Sequence, residues 1–347
     1  DRRLRAESVA AAEHTVPYAM KGYTDDGYCS EGMGYWNYGY GHHLTLGLAV
    51  RAATGGKVDL FSDPKHRAVM MYPYGYQLMN WQSPHFADGG GNPSAVLLAL
   101  QRQVFPDIAC RRAAEVDLLD GELSAVSLRA FGQDPGPAYT GGFDALPVRT
   151  WFPDAQVLIS RGSWPSRNAN LSVAVKGGHN AEFHNHNDVG SFVVSWNSCR
   201  FVVDPGGEAY TRDVFSDKRY TFNKLNSFGH PVPVVAGKLQ SPGPQAQGKI
   251  IKTELTDEQD TLVIDFTSAY DVPELKSLIR TFVFNRPNKT ITLTDAVEFT
   301  EPKDFSTALI SNEHVFILSS EKCTIYNRED RCLNIQITAD APFTTKS

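Results

Sequence analysis

The sequence predicts an α+β protein in which a helical part is followed by a part made of antiparallel β-strands. Up to about residue 132, apolar and polar residues recur at helical spacing. A stretch rich in Gly, Pro and Asp follows at 132–146, and beyond it short segments alternate with a period of two. We therefore predict a helical domain at 1–134 and a β domain at 147–347.

Local signals support the helical part. Pro64 follows Asp63, which is typical of a first-turn proline behind an N-cap, and the pair Gly55-Gly56 is typical of a helix end. Further helices are predicted at 94–105, 107–119 and 123–131. The connections between these segments are short, which favours packed helical hairpins.

The β part is predicted from segments in which alternate residues are apolar. These segments are 171–175, 192–196, 201–203, 262–266, 282–284, 291–293 and 335–337. Turn sequences such as Asn197-Ser198 separate them, and no helical pattern lies between them. Without helical crossovers an antiparallel sandwich is favoured over a parallel sheet.

Charge and hydropathy exclude two classes of partner. The formal net charge of the 347 residues is −6, so we expect no binding to nucleic acid, and a polyanionic substrate would need a local cationic pocket. No apolar run approaches the roughly 20 residues of a membrane helix, so membrane insertion is not expected. The start of the sequence lacks the apolar core of a signal peptide, and we expect a soluble chain that is processed or cut there.

The five cysteines form no CxxC pair, which argues against a cysteine-based zinc site or redox motif. Cys323 and Cys332 flank a turn-like sequence at 327–330. A hairpin at this turn could place the two cysteines opposite each other. Two unpaired buried thiols are the alternative.

The densest run of histidine, asparagine and acidic residues leads into one predicted strand. His184 and His186 are alternate residues, so on an extended chain they project to the same side. A hairpin would return Asp204, at the end of the next strand, towards them, and His230 follows later. Two or three imidazoles and a carboxylate suit zinc, whereas a solvated loop is the alternative. His179 is expected at the surface.

A second cluster, at 25–43, interleaves glycines with aromatic residues. The aromatics include Tyr35, Trp36, Tyr38 and Tyr40. Such rings can line a cleft and stack against sugars, or they can pack into the core at a helix start. The glycine-rich segment at 87–91 is not expected to bind phosphate, because no strand precedes it and no lysine follows.

Together, these two clusters resemble the heparinase II/III-like family of polysaccharide lyases. The stretch Asp-Gly-Tyr-x-x-Glu-Gly-x-x-Tyr-Trp-Asn-Tyr-Gly at 26–39 is similar to the signature of the family's helical toroid. The run His-x-His-x-Asp-x-x-Ser-Phe at 184–192, then Val-Asp-Pro-Gly at 203–206 and a later histidine, is similar to its β-domain signature. The resemblance covers most of the chain and implies a partial (α/α) toroid of helical hairpins followed by an antiparallel β-sandwich.

The resemblance also implies a structural zinc ion. His186, Asp204 and His230 match the family's zinc ligands, which connect the sheets beside the cleft. A bacterial periplasmic or secreted location is implied as well. In such an oxidising location a Cys323–Cys332 disulfide is our expectation.

The resemblance assigns catalytic residues too. Tyr35 matches the tyrosine that acts as general acid and in some members also as base, and His184 matches a histidine that faces substrate. Tyr220 matches the second tyrosine of alginate-cleaving relatives, and Tyr210 competes for that role. The family's Asn or His that neutralises the substrate carboxylate lies on an earlier helix. We expect this chain to begin after that helix, or another segment to supply the function.

The implied activity is β-elimination from an acidic, uronate-containing glycan of glycosaminoglycan or alginate type. A tyrosine whose pKa is lowered by nearby cations would take the proton at C5 of the uronate and return one to the leaving oxygen. One alternative is a non-catalytic glycan-binding protein of the same fold. Another is a metal-dependent hydrolase, which would need an open coordination position on zinc.

Overall fold

Helices occupy the first part of the chain. The structure, a computed structural model, describes residues 1–79, 81–108, 146–162, 171–197, 199–328 and 331–347. The α-helices are α1 (Arg2–Ala19), α2 (Met33–Tyr35), α3 (Gly41–Ala53), α4 (Pro64–Gly75) and α5 (Ala95–Gln101), and a π-helical turn (Trp36–Tyr40) joins α2 to α3. None of the described helices combines the length and apolar character needed to cross a membrane.

The predicted helix signals are confirmed. The side chain of Asp63 accepts a hydrogen bond from the backbone N–H of Lys65 at 2.9 Å, and Pro64 opens α4. Helix α3 ends before Gly55 and Gly56, whose φ angles of +61° and +78° suit glycine. The helices predicted at 107–119 and 123–131 lie outside the described residues, apart from 107–108.

Sixteen strands follow in the described residues. They are β1 (Arg149–Phe152), β2 (Val157–Arg161), β3 (Leu171–Lys176), β4 (His179–Asn180), β5 (Phe192–Trp196), β6 (Cys199–Val202), β7 (Val234–Val235), β8 (Gly243–Gln247), β9 (Lys249–Leu255), β10 (Gln259–Asp265), β11 (Leu275–Asn285), β12 (Thr290–Phe299), β13 (Phe305–Ser306), β14 (His314–Ser319), β15 (Lys322–Tyr326) and β16 (Cys332–Gln336). Every segment predicted from period-two alternation overlaps one of these strands.

All the described strand pairs are antiparallel. The two largest sheets have the orders β1-β2-β3-β5-β6 and β12-β11-β10-β9. A three-stranded sheet, β14-β15-β16, and the pairs β13-β7 and β4-β8 complete the arrangement. The chain is therefore a mixed helix and sheet protein with antiparallel sheets, as predicted.

The five-stranded sheet has apolar clusters on both of its faces. The side chains of strand β2 belong alternately to the two clusters. Val157 and Ile159 belong to the apolar cluster that contains the helices' buried aromatic residues. Leu158 projects to the other face and belongs to a second cluster, which includes Leu262 and Phe282 of the four-stranded sheet. The five-stranded sheet therefore forms a layer between the helices and the second sheet.

A buried arginine links the helices to this sheet. Arg161, at the end of β2, is 3% exposed and has no acidic partner among its described contacts. Its guanidinium donates to the backbone carbonyls of Gly75 at 2.6 Å, Gln77 at 2.6 Å and Pro147 at 3.1 Å. Since Gly75 ends α4, the arginine satisfies carbonyls that a helix end leaves without intrahelical partners.

The expected disulfide is wrong, although the predicted hairpin forms. In the pairing of β15 with β16, Cys323 lies opposite Ile335 and Cys332 lies opposite Tyr326. Cys323 is buried, Cys332 is exposed, and both are free thiols. Because side chains alternate between the faces of a sheet, this register places the two sulfurs on opposite faces.

Candidate active site and metal centre

Tyr35 is placed by a close backbone contact between two glycine-containing segments. Gly89 N–H donates to the carbonyl of Glu31 at 2.8 Å, and Gly34 N–H donates to the carbonyl of Gly89 at 2.9 Å. A Cβ on Gly32, whose φ is +96°, would lie 2.4 Å from the carbonyl oxygen of Gly89. Only glycine fits there. The Glu-Gly-x-x-Tyr motif therefore places Tyr35 against the loop that carries Asp88.

His184 meets Tyr35 from the β part of the chain. Nδ1 of His184 lies 3.4 Å from the hydroxyl of Tyr35 and 3.2 Å from that of Tyr210, and the two hydroxyls also contact each other. Nε2 of His184 lies 3.4 Å from a carboxylate oxygen of Glu31. The backbone of His184 has a φ of +51°, an uncommon conformation for a residue other than glycine. The structure thus brings the two predicted catalytic residues together.

Asp88 is a site residue that the sequence analysis missed. Its side chain is 1% exposed. One carboxylate oxygen accepts from Nδ1 of His184 at 2.9 Å and from Tyr210 and Arg219 at 3.1 Å each, and the other accepts from Nε2 of His186 at 2.8 Å. Burial opposes ionisation, but hydrogen bonds from the two histidines hold the pKa of Asp88 well below its usual value. It is therefore a carboxylate at neutral pH.

The two tyrosines of the site are protonated at neutral pH. Burial raises the pKa of Tyr35, and the charges of Asp88 and Glu31 add to this effect. Burial, together with Tyr35 and Asp88, raises the pKa of Tyr210. The expectation that cations lower the pKa of Tyr35 is therefore wrong, because burial and the charges of Asp88 and Glu31 outweigh the effect of the one arginine, Arg219. The phenols are proton donors.

Tyr220 lies apart from this group. Its hydroxyl accepts a hydrogen bond from the side-chain amide of Asn185 at 3.3 Å, and no described hydrogen bond joins it to Tyr35 or His184. Tyr210, which contacts both, fits the role of second tyrosine better. No pattern in the sequence separates the two, since both lie in the long connection between β6 and β7. His179 is partly exposed in β4, in keeping with the expected surface position.

The predicted metal ligands also come together. One ligand atom from each of His186, Asp204 and His230 can be chosen so that all lie within 4.8 Å of one another, and the three residues are buried. Nδ1 of His230 lies 2.8 Å from Asp204. Burial alone would raise the pKa of Asp204, but the charge of His230 outweighs it and lowers that pKa to about 2. Asp204 therefore offers a charged oxygen at neutral pH.

The donor set fits a cation such as zinc. Nδ1 of His186 is buried and has no hydrogen-bond partner, while Nε2 of the same ring is held by Asp88. A metal-binding histidine commonly has this arrangement, with one nitrogen on the metal and the other donating to a carboxylate. Asp204 is oriented by Ser191 and by the backbone N–H of Gly206, at 3.0 and 3.1 Å. Two nitrogens and one oxygen suit the preference of zinc.

An open cleft of about 490 Å³ lies beside Tyr35, Asp88 and Tyr210. Tyr38 also lines it and is 66% exposed. The predicted aromatic lining is therefore confirmed for Tyr35 and Tyr38, whereas Trp36 and Tyr40 are in the core as the alternative predicted. Exposed Phe215 packs edge-on against Tyr210, with ring centroids 4.8 Å apart, and extends the aromatic surface.

The fold and the site together define a protein in which a tyrosine of the helical part meets a histidine of the β part, next to a buried cluster of two histidines and one aspartate. The heparinase II/III-like, C-terminal family matches residues 156–341, which is more than half of the chain. The chain belongs to this family. No match was found among curated proteins.

Solved structures of lyases share the fold. The heparan sulfate lyase HepC from Pedobacter heparinus is similar with a TM-score of 0.67 and 15% identity, covering 98% of this chain and 49% of that one. A mutant of HepC gives the same TM-score and identity, with 94% and 48% covered. A heparinase III is similar with a TM-score of 0.67 and 12% identity, with 94% and 46% covered. The chain thus spans about half the length of these proteins.

Proposed function

We propose that this chain carries the acid–base centre of a polysaccharide lyase that cleaves an acidic, uronate-containing glycan by β-elimination. The observation that carries the proposal is the meeting of Tyr35 and His184, with 3.4 Å between the hydroxyl and Nδ1, beside an open cleft. The similar structures, which are named as heparan sulfate lyases, support an acidic polysaccharide as substrate. We also propose that the helices are part of an (α/α) toroid and the sheets a β-sandwich.

In the proposed reaction His184 is the base and Tyr35 the acid. With Nδ1–H donating to Asp88, Nε2 of His184 holds a lone pair that can take the C5 proton of the uronate. The electron pair of the C5–H bond forms the C4=C5 double bond, and the C4–O bond to the leaving sugar breaks. Tyr35 donates its proton to the leaving oxygen. The raised pKa of Tyr35 favours the protonated form that this step requires.

Glu31 supports this assignment. Its carboxylate lies 3.4 Å from Nε2 of His184, the nitrogen that takes the C5 proton in the proposed reaction. Burial raises the pKa of Glu31, and the neighbouring charge of His184 opposes that rise.

We propose further that zinc is held by His186, Asp204 and His230 in a structural role. A bound zinc ion would supply a cross-link between the segments that carry these three residues. Their near-complete burial, with 0–4% exposure, supports a structural role over zinc-water hydrolysis, which needs a coordination position open to substrate. The contact between Tyr35 and His184 is what favours a catalytic protein over a purely glycan-binding one.

A polymeric glycan does not cross the cytoplasmic membrane, and we therefore propose that the protein works in the bacterial periplasm or outside the cell. The domains proposed are a helical one at 1–134 and a β one at 147–347. Both limits fall within or next to a segment rich in Gly, Pro and Asp.

The test is a Tyr35→Phe variant of the full-length protein, assayed on a panel of uronate-containing glycans by the absorbance of unsaturated products. The ring and its packing are kept while the proton donor is lost, so we expect turnover to fall by about 10²- to 10⁴-fold with KM nearly unchanged. Tyr326→Phe is the matched control, because it makes the same change at an exposed position at the end of strand β15. Parental turnover by Tyr35→Phe would refute the assignment.

A further inference from the structure

Asp88 is the one carboxylate that touches both the acid–base group and the metal-ligand group among the described residues. It contacts His184 through one oxygen and His186 through the other. Tyr210 and Arg219 share the first oxygen. Burial of an ion is costly unless hydrogen bonds compensate, and here four donors converge on one side chain. These four hydrogen bonds hold the carboxylate and the two imidazole rings in fixed relative positions.

The two oxygens of Asp88 determine which nitrogen of each ring carries a proton. Since His186 donates from Nε2, its Nδ1 is left as the electron-pair donor, and this is the buried nitrogen without a hydrogen-bond partner. Since His184 donates from Nδ1, its Nε2 is left as the electron-pair donor near Glu31. One carboxylate thus selects opposite tautomers in two histidines that are two residues apart.

The backbone around Asp88 is fixed by the segment that carries Tyr35. The backbone N–H of Gly89 donates to the carbonyl of Glu31, and the carbonyl of Gly89 accepts from the N–H of Gly34. A Cβ on Gly89 would lie 2.2 Å from the carbonyl oxygen of Glu31, so the two backbones are in direct contact. A shift of Asp88 would therefore shift Tyr35 as well.

We propose that Asp88 is a positioning residue shared by the two sites: it directs Nε2 of His184 to the substrate and Nδ1 of His186 to the metal. The role in catalysis rests on the proposed lyase function. The effect on the two imidazoles does not, because it follows from hydrogen bonds alone. Asp88 acts through the histidines and not on the sugar, since its side chain is almost fully buried.

The test is Asp88→Asn in the full-length protein. Asparagine has the same shape, but its NH₂ group would face either the N–H of His186 or the donors that surround His184, so one set of hydrogen bonds must break. We expect zinc affinity, measured by competition with a chelator, to fall by about 10- to 100-fold. We expect kcat to fall by at least about tenfold with KM within about twofold, which is the pattern of lost positioning.

A third readout is independent of both zinc and activity. Nitrogen-15 NMR of the ring nitrogens, in zinc-free protein at one fixed pH, reports the tautomers of His184 and His186. We expect single tautomers in the parent, Nδ1–H for His184 and Nε2–H for His186. In Asp88→Asn at least one ring should change to a mixture or to the opposite tautomer. Unchanged ring signals in the variant would overturn the proposal.

Asp260→Asn is the matched control, because Asp260 is also buried and accepts hydrogen bonds from Arg149, Ser160 and the buried Arg286, and none of these partners has a described contact with the site residues. We expect it to lower stability without changing the ring signals or the zinc affinity. Equal effects of the two variants on kcat and zinc would reduce Asp88 to a structural residue and overturn the proposal. Absence of unsaturated products from the parent would refute the lyase function only, and the NMR comparison would still decide the role of Asp88.

Discussion

At the scale of single residues, neighbouring histidines have different environments. His184 is about one quarter exposed and contacts Tyr35, which lines the cleft, whereas His186 is fully buried. The alternation of side chains on an extended chain does not produce this division, since it would direct both rings to one side. The left-handed backbone of His184 changes the direction of the chain between them. One short motif can therefore serve two kinds of chemistry.

This division predicts opposite outcomes for two alanine variants. His184→Ala should abolish most turnover and leave zinc content unchanged, because the ring contacts none of the proposed ligands. His186→Ala should lose zinc and lower the midpoint of thermal unfolding, since metal binding energy contributes to folding. For a domain of this size each kcal/mol lost corresponds to about 2–4 °C. Elemental analysis and a thermal melt measure the two effects, and loss of zinc from His184→Ala would contradict the assignment.

At the scale of elements, strand prediction succeeded where large apolar residues recur at every second position, in the fully buried strand β3 as well as in the partly exposed β12. Strand β12 alternates along its whole length between partly buried and exposed positions, and period-two apolarity marks it in the sequence. Strand β2 is buried at all five positions because helices cover one face and a sheet the other, so its sequence, Val-Leu-Ile-Ser-Arg, shows no alternation. Strand β14 is exposed throughout, but its sequence, His-Val-Phe-Ile-Leu-Ser, also shows no alternation, and it is missed as well.

The site was predictable to the extent that its residues belong to motifs. Tyr35, His184 and the three proposed ligands all lie in recognisable patterns. Asp88 does not, because it is a single loop residue whose partners are 96 and 98 positions away. Only the folded chain brings it to them, so no local spacing reveals it.

The contact between helices α3 and α4 leads to a pH prediction. His43 and His66 are buried and stack with their ring centroids 4.8 Å apart. Burial, aided by the charge of His66, lowers the pKa of His43 to about 4, and burial lowers that of His66. Unfolding returns each ring to its usual pKa near 6.5. The unfolded chain therefore binds more protons than the folded chain between pH 6.5 and 4, so stability is lost as pH falls through that range.

We expect His43 to account for about 3 kcal/mol of the unfolding free energy lost between pH 7 and pH 4. His43→Phe keeps an aromatic ring in the stack and removes the titrating group, so its stability should depend less on pH in this range. The measurement is denaturant unfolding at a series of pH values. His14→Phe, at an exposed position of α1, is the control. A slope unchanged by His43→Phe would contradict the prediction.

At the scale of the whole molecule, the site exists because the helical and β parts are held in one relative position. Tyr35 and Asp88 come from the first part, and His184 from the second. Arg161 fixes this junction through carbonyls on both sides of it. The short distance between Tyr35 and His184 therefore depends in part on Arg161, which contacts neither of them.

Arg161→Ala should weaken both stability and activity. It leaves the carbonyls of Gly75, Gln77 and Pro147 without a buried donor, and unsatisfied buried acceptors cost about 1–3 kcal/mol each. We expect a loss of at least about 2 kcal/mol in denaturant unfolding, with turnover reduced more than binding. Arg3→Ala, at the exposed start of α1, should change neither. Wild-type turnover in Arg161→Ala would show that the junction is fixed by other contacts.

The sheet that lies between two layers also affects synthesis of the protein. The ribosome releases the helical part first, at about 5–20 residues per second, and its apolar face packs on strands that emerge later. Until β2, β3 and β5 have been made, aromatic residues such as Tyr28 and Tyr72, which pack against Phe152 of β1, have no partner layer. The nascent helices would be exposed to aggregation for many seconds, and the chain is therefore expected to depend on chaperones until its central sheet closes.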